Sequence, residues 1–252
     1  MNTCLVLSGG GVRGIAHIGA IKALEERGVM PNYIAGTSSG AIVGALYAGG
    51  FGWETIFDFF KSIDLFSINK FALNKPGFVD TEKFYDRFTP FFPDDDFNSL
   101  KIPLYITATD ILKGTLEVFH QGELIRPILA SAAFPGMFTP VKINGDYYVD
   151  GGTLNNFPLD LISGFCDRIV GVYVNPLDKV EIGDLRHSFN ILERAYKIRS
   201  TRDSESKFGD CDLVISPQDL SNYNTFSLKD MDTIFKLGYD AAKEAMQSTD
   251  RF

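Results

Sequence analysis

The sequence is poor in cysteine and histidine, and it contains no long apolar run. Only three cysteines and three histidines occur in 252 residues. Cys4, Cys166 and Cys211 lack the spacing of a metal site, and their odd number favours reduced cytoplasmic thiols over a disulfide framework. The first residues lack the basic and apolar regions of a Sec signal peptide, and no apolar run is long enough for a transmembrane helix. We therefore expect a cytoplasmic protein that contacts membranes only peripherally.

Basic residues are also too few to dominate the surface. The chain has 24 Lys and Arg against 32 Asp and Glu, which gives a net charge of −8. A nucleic-acid-binding protein needs a basic surface that neutralises phosphates, so this class is excluded. The same balance argues against strong attraction to anionic membranes. Any transient contact with a membrane or micelle would have to be apolar and local.

Internal repeats and composition breaks are absent as well, so we predict one domain over residues 1–252. Apolar runs alternate with helical spacings, which is typical of a mostly parallel sheet covered by helices on both faces. The pair Asn144-Gly145 between two short apolar runs predicts a β-hairpin. The predicted strands cover residues 3–7, 33–35, 104–109, 116–120, 141–143, 147–149, 168–174 and 212–216, and the predicted helices cover 15–27, 39–47, 185–198 and 231–246.

Phenylalanine is concentrated in one segment. Residues 51–97 hold 12 of the 22 phenylalanines together with several prolines and glycines. Because large apolar side chains are mostly interior, these rings can form a second small core. The alternative is that an insertion over residues 51–100 forms a lid or the wall of an acyl-chain pocket. The sequence leaves both interpretations open.

Residues 36–40 (GTSSG) match the G-x-S-x-G pattern of a nucleophile elbow. The pattern lies between a predicted strand and a predicted helix, where such an elbow has to be. Gly36 and Gly40 permit the sharp turn that exposes the Ser38 hydroxyl, and the N-terminus of the next helix favours negative charge there. An ordinary turn capped by Ser39 is the alternative. We predict that Ser38 is a nucleophile.

A second glycine-rich turn, residues 8–14 (SGGGVRG), also joins a predicted strand to a predicted helix. Its backbone N–H groups can hold an anion, either a phosphate or an oxyanion. Gly9, Gly11 and Gly14 satisfy the dinucleotide fingerprint G-x-G-x-x-G as well. The second predicted strand runs into GTSSG instead of ending at an acidic residue, which counts against nucleotide binding. Arg13 either orients this turn, contacts a substrate or forms a surface ion pair.

A nucleophilic serine needs a base. Asp150 ends a predicted strand before Gly151 and Gly152, which suits a carboxylate directed into a cleft, although ordinary turns use the same residues. His187 is the only histidine after Asp150, which is the chain order of a Ser–Asp–His triad. Its surroundings predict a helix start, where a solvated histidine is the commoner outcome. The residues thus offer Ser38, Asp150 and no well-placed histidine.

Together these motifs resemble the patatin-like phospholipase family. The resemblance rests on residues 8–14, 36–40, 130–140 (ASAAFPGMFTP) and 150–152 (DGG), in this order along the chain. It implies a three-layer α/β/α sandwich with a central, mostly parallel sheet. It also implies a serine lipid acyl hydrolase, which includes phospholipase A, lysophospholipase and esterase activities.

The resemblance further implies a catalytic dyad instead of a triad. Ser38 is then the nucleophile and Asp150 the base, and the backbone amides of Gly10 and Gly11 form the oxyanion hole. Such an enzyme acts on a lipid acyl ester and uses no cofactor and no metal ion. The residues that would support these motifs are Gly9, Arg13, Gly14, Gly36, Gly40, Gly151 and Gly152.

Two other functions are compatible with the same residues. An acyltransferase or thioesterase could use Ser38, although such enzymes usually pair the serine with a histidine. A non-catalytic module that binds a lipid or a nucleotide would need only the glycine-rich turns. The sequence specifies no head group, no acyl-chain preference and no oligomeric state.

Overall fold

The computed structural model describes residues 2–63, 72, 75–225 and 229–249. Its centre is a mixed, mostly parallel sheet with flanking helices. The strands are β1 (Thr3–Leu7), β2 (Tyr33–Gly36), β3 (Leu104–Asp110), β4 (Thr115–Phe119), β5 (Val141–Ile143), β6 (Asp146–Asp150), β7 (Arg168–Val172) and β8 (Leu213–Ile215). The helices are α1 (Ile15–Glu26), α2 (Ser39–Ala48), α3 (Trp53–Lys61), α4 (Tyr85–Phe88), α5 (Ile125–Ser131), α6 (Ser188–Glu205) and α7 (Met231–Gln247).

The order of the strands brings the two glycine-rich turns to one edge of the sheet. The order is β5–β6–β3–β2–β1–β7–β8, and β4 pairs with β3. The pairs from β3 through β2, β1 and β7 to β8 are parallel, whereas β4, β5 and β6 are joined by antiparallel pairs. The carboxyl ends of β1 and β2 therefore lie side by side, which is where open parallel sheets bind ligands. The predicted mostly parallel α/β fold is confirmed.

Side chains of β1 alternate between the two faces of the sheet, as the period of a strand requires. Leu5 and Leu7 belong to the larger core, which the helices on one face complete. Cys4 and Val6 point to a smaller core on the other face, which residues 157–162 cover. The sheet is thus the middle layer between two apolar layers.

Asparagine and glycine residues in turns predicted the hairpin between β5 and β6 and the end of α1. The predicted hairpin is present, and Asn144 and Gly145 both have positive φ, 51° and 99°, as a tight two-residue hairpin turn requires. The helix α1 ends before Gly28, whose φ is +73°, in the left-handed conformation that commonly ends helices.

The phenylalanine-rich segment mostly supplies the core. Phe66 and Phe71 lie outside the described residues. Phe78 is 65% exposed, and Phe51 and Phe91 pack at the edge of the larger core. The buried rings of this segment are Phe57, Phe59, Phe60, Phe84, Phe88, Phe92 and Phe97. The lid over residues 51–100 stays a prediction.

The expectation of three reduced thiols is wrong. Cys4 in β1 and Cys166 form a disulfide with their Cα atoms 5.7 Å apart, and Cys211 is a free cysteine. The two half-cystines are 162 positions apart in the sequence. They meet because Thr3 lies opposite Arg168 in the β1–β7 pair, a pairing that cysteine spacing alone does not reveal.

The helix α6 begins and ends later than predicted. The apolar spacing predicted residues 185–198, whereas the helix covers Ser188–Glu205. Its last turns bury the hydroxyl side chains of Ser200, Thr201 and Ser204, which leave no apolar pattern in the sequence. Among the helices formed by the described residues, none combines the length and the apolar character needed to cross a bilayer.

Candidate active site

The turn between β2 and α2 holds Ser38 in an unusual backbone conformation. Ser38 has φ 55° and ψ −123°, a region that residues with a side chain rarely occupy and that costs about 1–3 kcal/mol. A Cβ atom on Gly36 would meet the backbone of Gly40, and one on Gly40 would meet the carbonyl group of Leu7. Both glycines are therefore required by the close approach of β1, β2 and α2.

Hydrogen bonds fix this turn from two sides. The N–H of Ser38 donates to Oγ of Ser131 at 2.8 Å, from the last turn of α5. The hydroxyl of Thr37 donates to the carbonyl oxygen of Asn155 at 2.9 Å and lies 2.6 Å from Oγ1 of Thr107. Sequence reasoning missed Ser131 as a positioning residue, although it lies in the segment ASAAFPGMFTP.

Asp150 ends β6 directly beside Ser38. The carboxylate lines the same cavity as Ser38, and its Oδ1 accepts a hydrogen bond from the N–H of Gly152 at 2.7 Å. Asp150 is only 3% exposed. Burial raises the pKa of Asp150 to about 7, and the Ser38 side chain and the Gly152 N–H partly offset this rise. A carboxyl group with this pKa accepts a proton more readily than an ordinary aspartate.

The glycine-rich turn after β1 leaves two backbone amides without a partner. Gly9 donates to the carbonyl oxygen of Asn156 at 3.1 Å, and Val12 donates to that of Thr225 at 2.8 Å. Between them, Gly10 and Gly11 donate to no acceptor within the described residues. Both glycines line the cavity that contains Ser38. Two amides in this position can receive an anionic oxygen.

The remaining motif glycines allow the three turns to touch. A Cβ atom on Gly14 would meet the side chain of Ser39, and one on Gly9 would meet the side chains of Asn156 and Ser38. A Cβ atom on Gly151 would meet Thr107, and one on Gly152 would meet Asn156, Tyr196 and Asp150. Without these glycines the serine, the aspartate and the glycine-rich turn could not converge.

Arg13 is an interior residue, and it forms no ion pair with any residue that the structure describes. It is 3% exposed, and burial lowers its pKa below the ordinary value. Its Nη2 donates to Oγ1 of Thr225, and the Thr225 hydroxyl donates to Oε1 of Glu193 at 2.6 Å. Nε of Arg13 has no partner within the described residues. Arg13 thus joins the glycine-rich turn to the helix α6.

His17, in α1, contacts the first residue of the glycine-rich turn. It is fully buried and its Nε2 donates to the carbonyl oxygen of Ser8 at 2.8 Å. Burial lowers the pKa of His17 to about 4, so the ring is neutral at pH 7. His120 stacks on Tyr105, and His187 is exposed at the start of α6. None of the three histidines lines the cavity.

The cavity that contains Ser38 has a polar end and an apolar end, with a volume of about 130 Å³. Ser38, Asp150 and the glycine-rich turn form the polar end. The ring of Tyr196 packs edge-on against Phe134, with centroids 5.1 Å apart. The apolar wall is formed by Ile42, Phe60, Ile63, Phe134 and Phe138. Sequence reasoning missed Tyr196 because no motif surrounds it.

A second, more polar cavity of about 270 Å³ adjoins the first. The two share Arg13, Glu193, Lys197 and Thr225 as lining residues. In the second cavity Nζ of Lys197 donates to Asp178 at 2.7 Å. The described residues contain no cluster of three His, Cys, Asp or Glu side chains that could hold a metal ion.

Comparison with solved structures gives the same fold. VipD from Legionella pneumophila matches with a TM-score of 0.56 and 15% identity, over 98% of this chain and 67% of that protein. The type III effector ExoU matches with a TM-score of 0.52 and 17% identity, over 98% of this chain and 53% of that protein. At these identities the likeness concerns the fold alone.

Comparison of sequences identifies the family. An uncharacterized NTE family protein of Mycobacterium tuberculosis is 35% identical over 68% of this chain and 48% of its own length. Lysophospholipase NTE1 of Saccharomyces cerevisiae is 32% identical over 75% of this chain, which spans only 12% of that protein. The family model "Patatin-like phospholipase" matches residues 5–162. The chain therefore belongs to the patatin-like phospholipase family.

Proposed function

We propose that this chain is a serine hydrolase that cleaves the carboxylic ester of a lipid with Ser38 as nucleophile and Asp150 as base. The observation that carries the proposal is that Ser38, in its strained turn, and the buried Asp150 carboxylate together line the polar end of one apolar cavity. The family and the relatives named lysophospholipase support a lipid substrate.

The reaction proceeds in two steps. Asp150 takes the hydroxyl proton while Ser38 Oγ attacks the ester carbonyl, and the proton then passes to the leaving alcohol as the acyl-serine forms. In the second step Asp150 takes a proton from water, the hydroxide oxygen attacks the acyl-serine, and the proton returns to Ser38. A pKa of about 7 lets Asp150 accept and release a proton near neutral pH.

The amides of Gly10 and Gly11 stabilise the negative oxygen in both steps. Losing one such donor typically costs about 2.7–4 kcal/mol of transition-state stabilisation. The helix α2 begins immediately after Ser38 and adds the positive end of its dipole at the same place.

The two cavities suit the two parts of a lipid ester. The apolar wall contacts the acyl chain, where each buried methylene contributes about 0.8 kcal/mol. The polar cavity beside it takes the part of the lipid that carries the head group. With the acyl chain in one cavity and the head group in the other, the ester carbonyl between these two parts of the lipid lies next to Ser38.

Labelling with a fluorophosphonate tests the nucleophile directly. We expect mass spectrometry to find the label on Ser38, and Ser38→Ala to lose both the label and fatty-acid release from lysophospholipid. The matched control is Ser39→Ala. This variant should keep the label, because Ser39 is the residue next to Ser38 in the chain but is not the proposed nucleophile. Label on another residue, or unchanged turnover of Ser38→Ala, would refute the assignment.

A further inference from the structure

The helix α6 exposes three apolar side chains and buries four polar ones. Ile191, Leu192 and Ile198 are 54%, 68% and 37% exposed. At 100° per residue these positions lie within roughly 120° on one helix face. Single exposed apolar residues are ordinary. Three on one face, above a polar inner face, are the reverse of a normal surface helix.

Polar contacts fix the orientation of α6. Lys197 is paired with Asp178 at 2.7 Å, and Thr201 accepts a hydrogen bond from the Tyr173 hydroxyl at 3.0 Å. Lys197, Thr201 and Ser204 are all buried against the domain. Turning the apolar side chains inward would break these contacts and leave Asp178 and the Tyr173 hydroxyl facing apolar groups. The exposed apolar face is therefore a property of the fold.

The same helix forms part of the catalytic cavity. Glu193, Tyr196 and Lys197 line the cavity from its inner face. The outward face is one helix diameter away, about 10 Å. A surface that covers the outer face of α6 is thus brought close to the cavity.

The acidic residues at the end of α6, Asp203 and Glu205, lie about 20° beyond the two edges of the apolar arc, and Asp203 is paired with Lys207 at 3.5 Å. Inside the arc the exposed charged residues are Arg199 and Arg202. Neither forms an ion pair within the described part of the chain, although the protein as a whole has a net charge of −8. An apolar helix face with flanking arginines matches the interface of an anionic lipid layer. A symmetric contact with a second copy would instead bring the same arginines together.

We propose that the outward face of α6, formed by Ile191, Leu192, Ile198, Arg199 and Arg202, is the surface with which the protein lies on an anionic lipid bilayer or micelle. The proposal rests on the lipid hydrolase function proposed above. It places the lipid contact on α6 and not on the phenylalanine-rich segment, whose described rings are mostly buried. Docking there holds the cavity at the level of the lipid ester.

Binding to vesicles that the enzyme does not consume tests the surface. The probe is vesicles of ether-linked phosphatidylcholine, with and without ether-linked phosphatidylglycerol, and the readout is co-sedimentation of the protein. The triple variant Ile191→Ser, Leu192→Ser, Ile198→Ser should lower the partition coefficient roughly 100-fold. Hydrolysis of a soluble short-chain ester should stay within about twofold, because none of these side chains lines the cavity.

A matched pair of single variants separates this surface from general hydrophobicity. Leu192→Ser should lower the partition about tenfold. Met30→Ser should not change it, although Met30 is 55% exposed. Met30 precedes β2 and lies at the opposite edge of the sheet from Ser38.

The charge of the surface has its own test. The double variant Arg199→Gln, Arg202→Gln should lower partition into the phosphatidylglycerol-containing vesicles about 25-fold, or roughly fivefold per arginine. Partition into vesicles of phosphatidylcholine alone should not change. Equal losses on both vesicle types would contradict the electrostatic part of the proposal.

Three results would overturn the proposal. The first is wild-type protein that does not bind the vesicles, and the second is a triple variant that binds them as well as wild type does. The third is a wild-type dimer in analytical ultracentrifugation that the triple variant converts to monomer without a change in vesicle binding. If no ester were cleaved but the vesicle results held, the proposed hydrolase function would fail and this surface would stand.

Discussion

The two ends of the cavity that contains Ser38 are built in different ways. At the polar end, Ser38, Asp150 and the glycine-rich turn follow strands of one sheet and are held by short hydrogen bonds. At the apolar end, Phe60 comes from α3, while Phe134 and Phe138 follow α5. Apolar packing holds the rings of these three residues. Changes at the polar end should therefore lower turnover for every substrate. Changes at the apolar end should alter the preference between substrates.

The largest effect is expected from Asp150→Asn. An amide cannot accept the Ser38 proton, so kcat should fall about 10³-fold for short and long acyl chains alike. The measurement is steady-state hydrolysis of a series of esters. Asp146→Asn, in the same strand but half-exposed, is the matched control and should keep the wild-type rate. A loss confined to long chains would contradict the assigned role.

Activity should fall steeply in acid. The pKa of Asp150 is raised to about 7, and the base is active only when ionised, so activity is present above this pH and lost below it. We expect kcat/KM on a soluble ester to fall about tenfold per pH unit below pH 7, to about one hundredth at pH 5. The slope should be the same for every chain length. A profile that is flat from pH 5 to pH 8 would mean that Asp150 is not the base.

A smaller effect is expected at the apolar end. Phe60→Leu should change the ratio of kcat/KM between long-chain and short-chain esters by about three- to tenfold, since one or two methylene contacts are lost. Phe57→Leu, in the same helix, removes a buried ring that packs on Phe235 and does not line the cavity. It should lower the thermal midpoint similarly and leave the ratio unchanged. Equal ratios in both variants would mean that this helix contributes only core.

The smallest effect is expected from His187→Ala. His187 is exposed and does not line the cavity, so kcat/KM should stay within about twofold of wild type. A variant as inactive as Ser38→Ala would replace the dyad by a triad.

The polar end could be predicted from the sequence because local rules specify it. Gly36 and Gly40 mark the serine turn, and the apolar run before each glycine-rich turn marks a strand. For the apolar end, the sequence offered the wall of an acyl-chain pocket over residues 51–100 as one of two interpretations, but it did not show which rings line the cavity, because α3 is placed by its packing on α1 and α2. Ser131 and Tyr196 were missed for the same reason. Both approach the turn from elements about 100 residues or more away in the sequence.

Helix α6 shows a different limit of sequence reasoning. The helical spacing of apolar residues predicted a helix over residues 185–198 but not which face is buried. The burial is decided by partners distant in sequence, Asp178, Tyr173 and Thr225, which bind the polar face. Periodicity therefore predicted the element but not its orientation.

The disulfide between Cys4 and Cys166 closes residues 4–166 into a covalent ring. The ring spans 162 positions and encloses both Ser38 and Asp150, together with the whole region, residues 5–162, that matches the family model. Such a ring restricts the conformations of the unfolded chain, and a loop of this length corresponds to about 5 kcal/mol of folding stability. Opening the ring would thus act on the unfolded state first, while both ends of the cavity keep their own contacts.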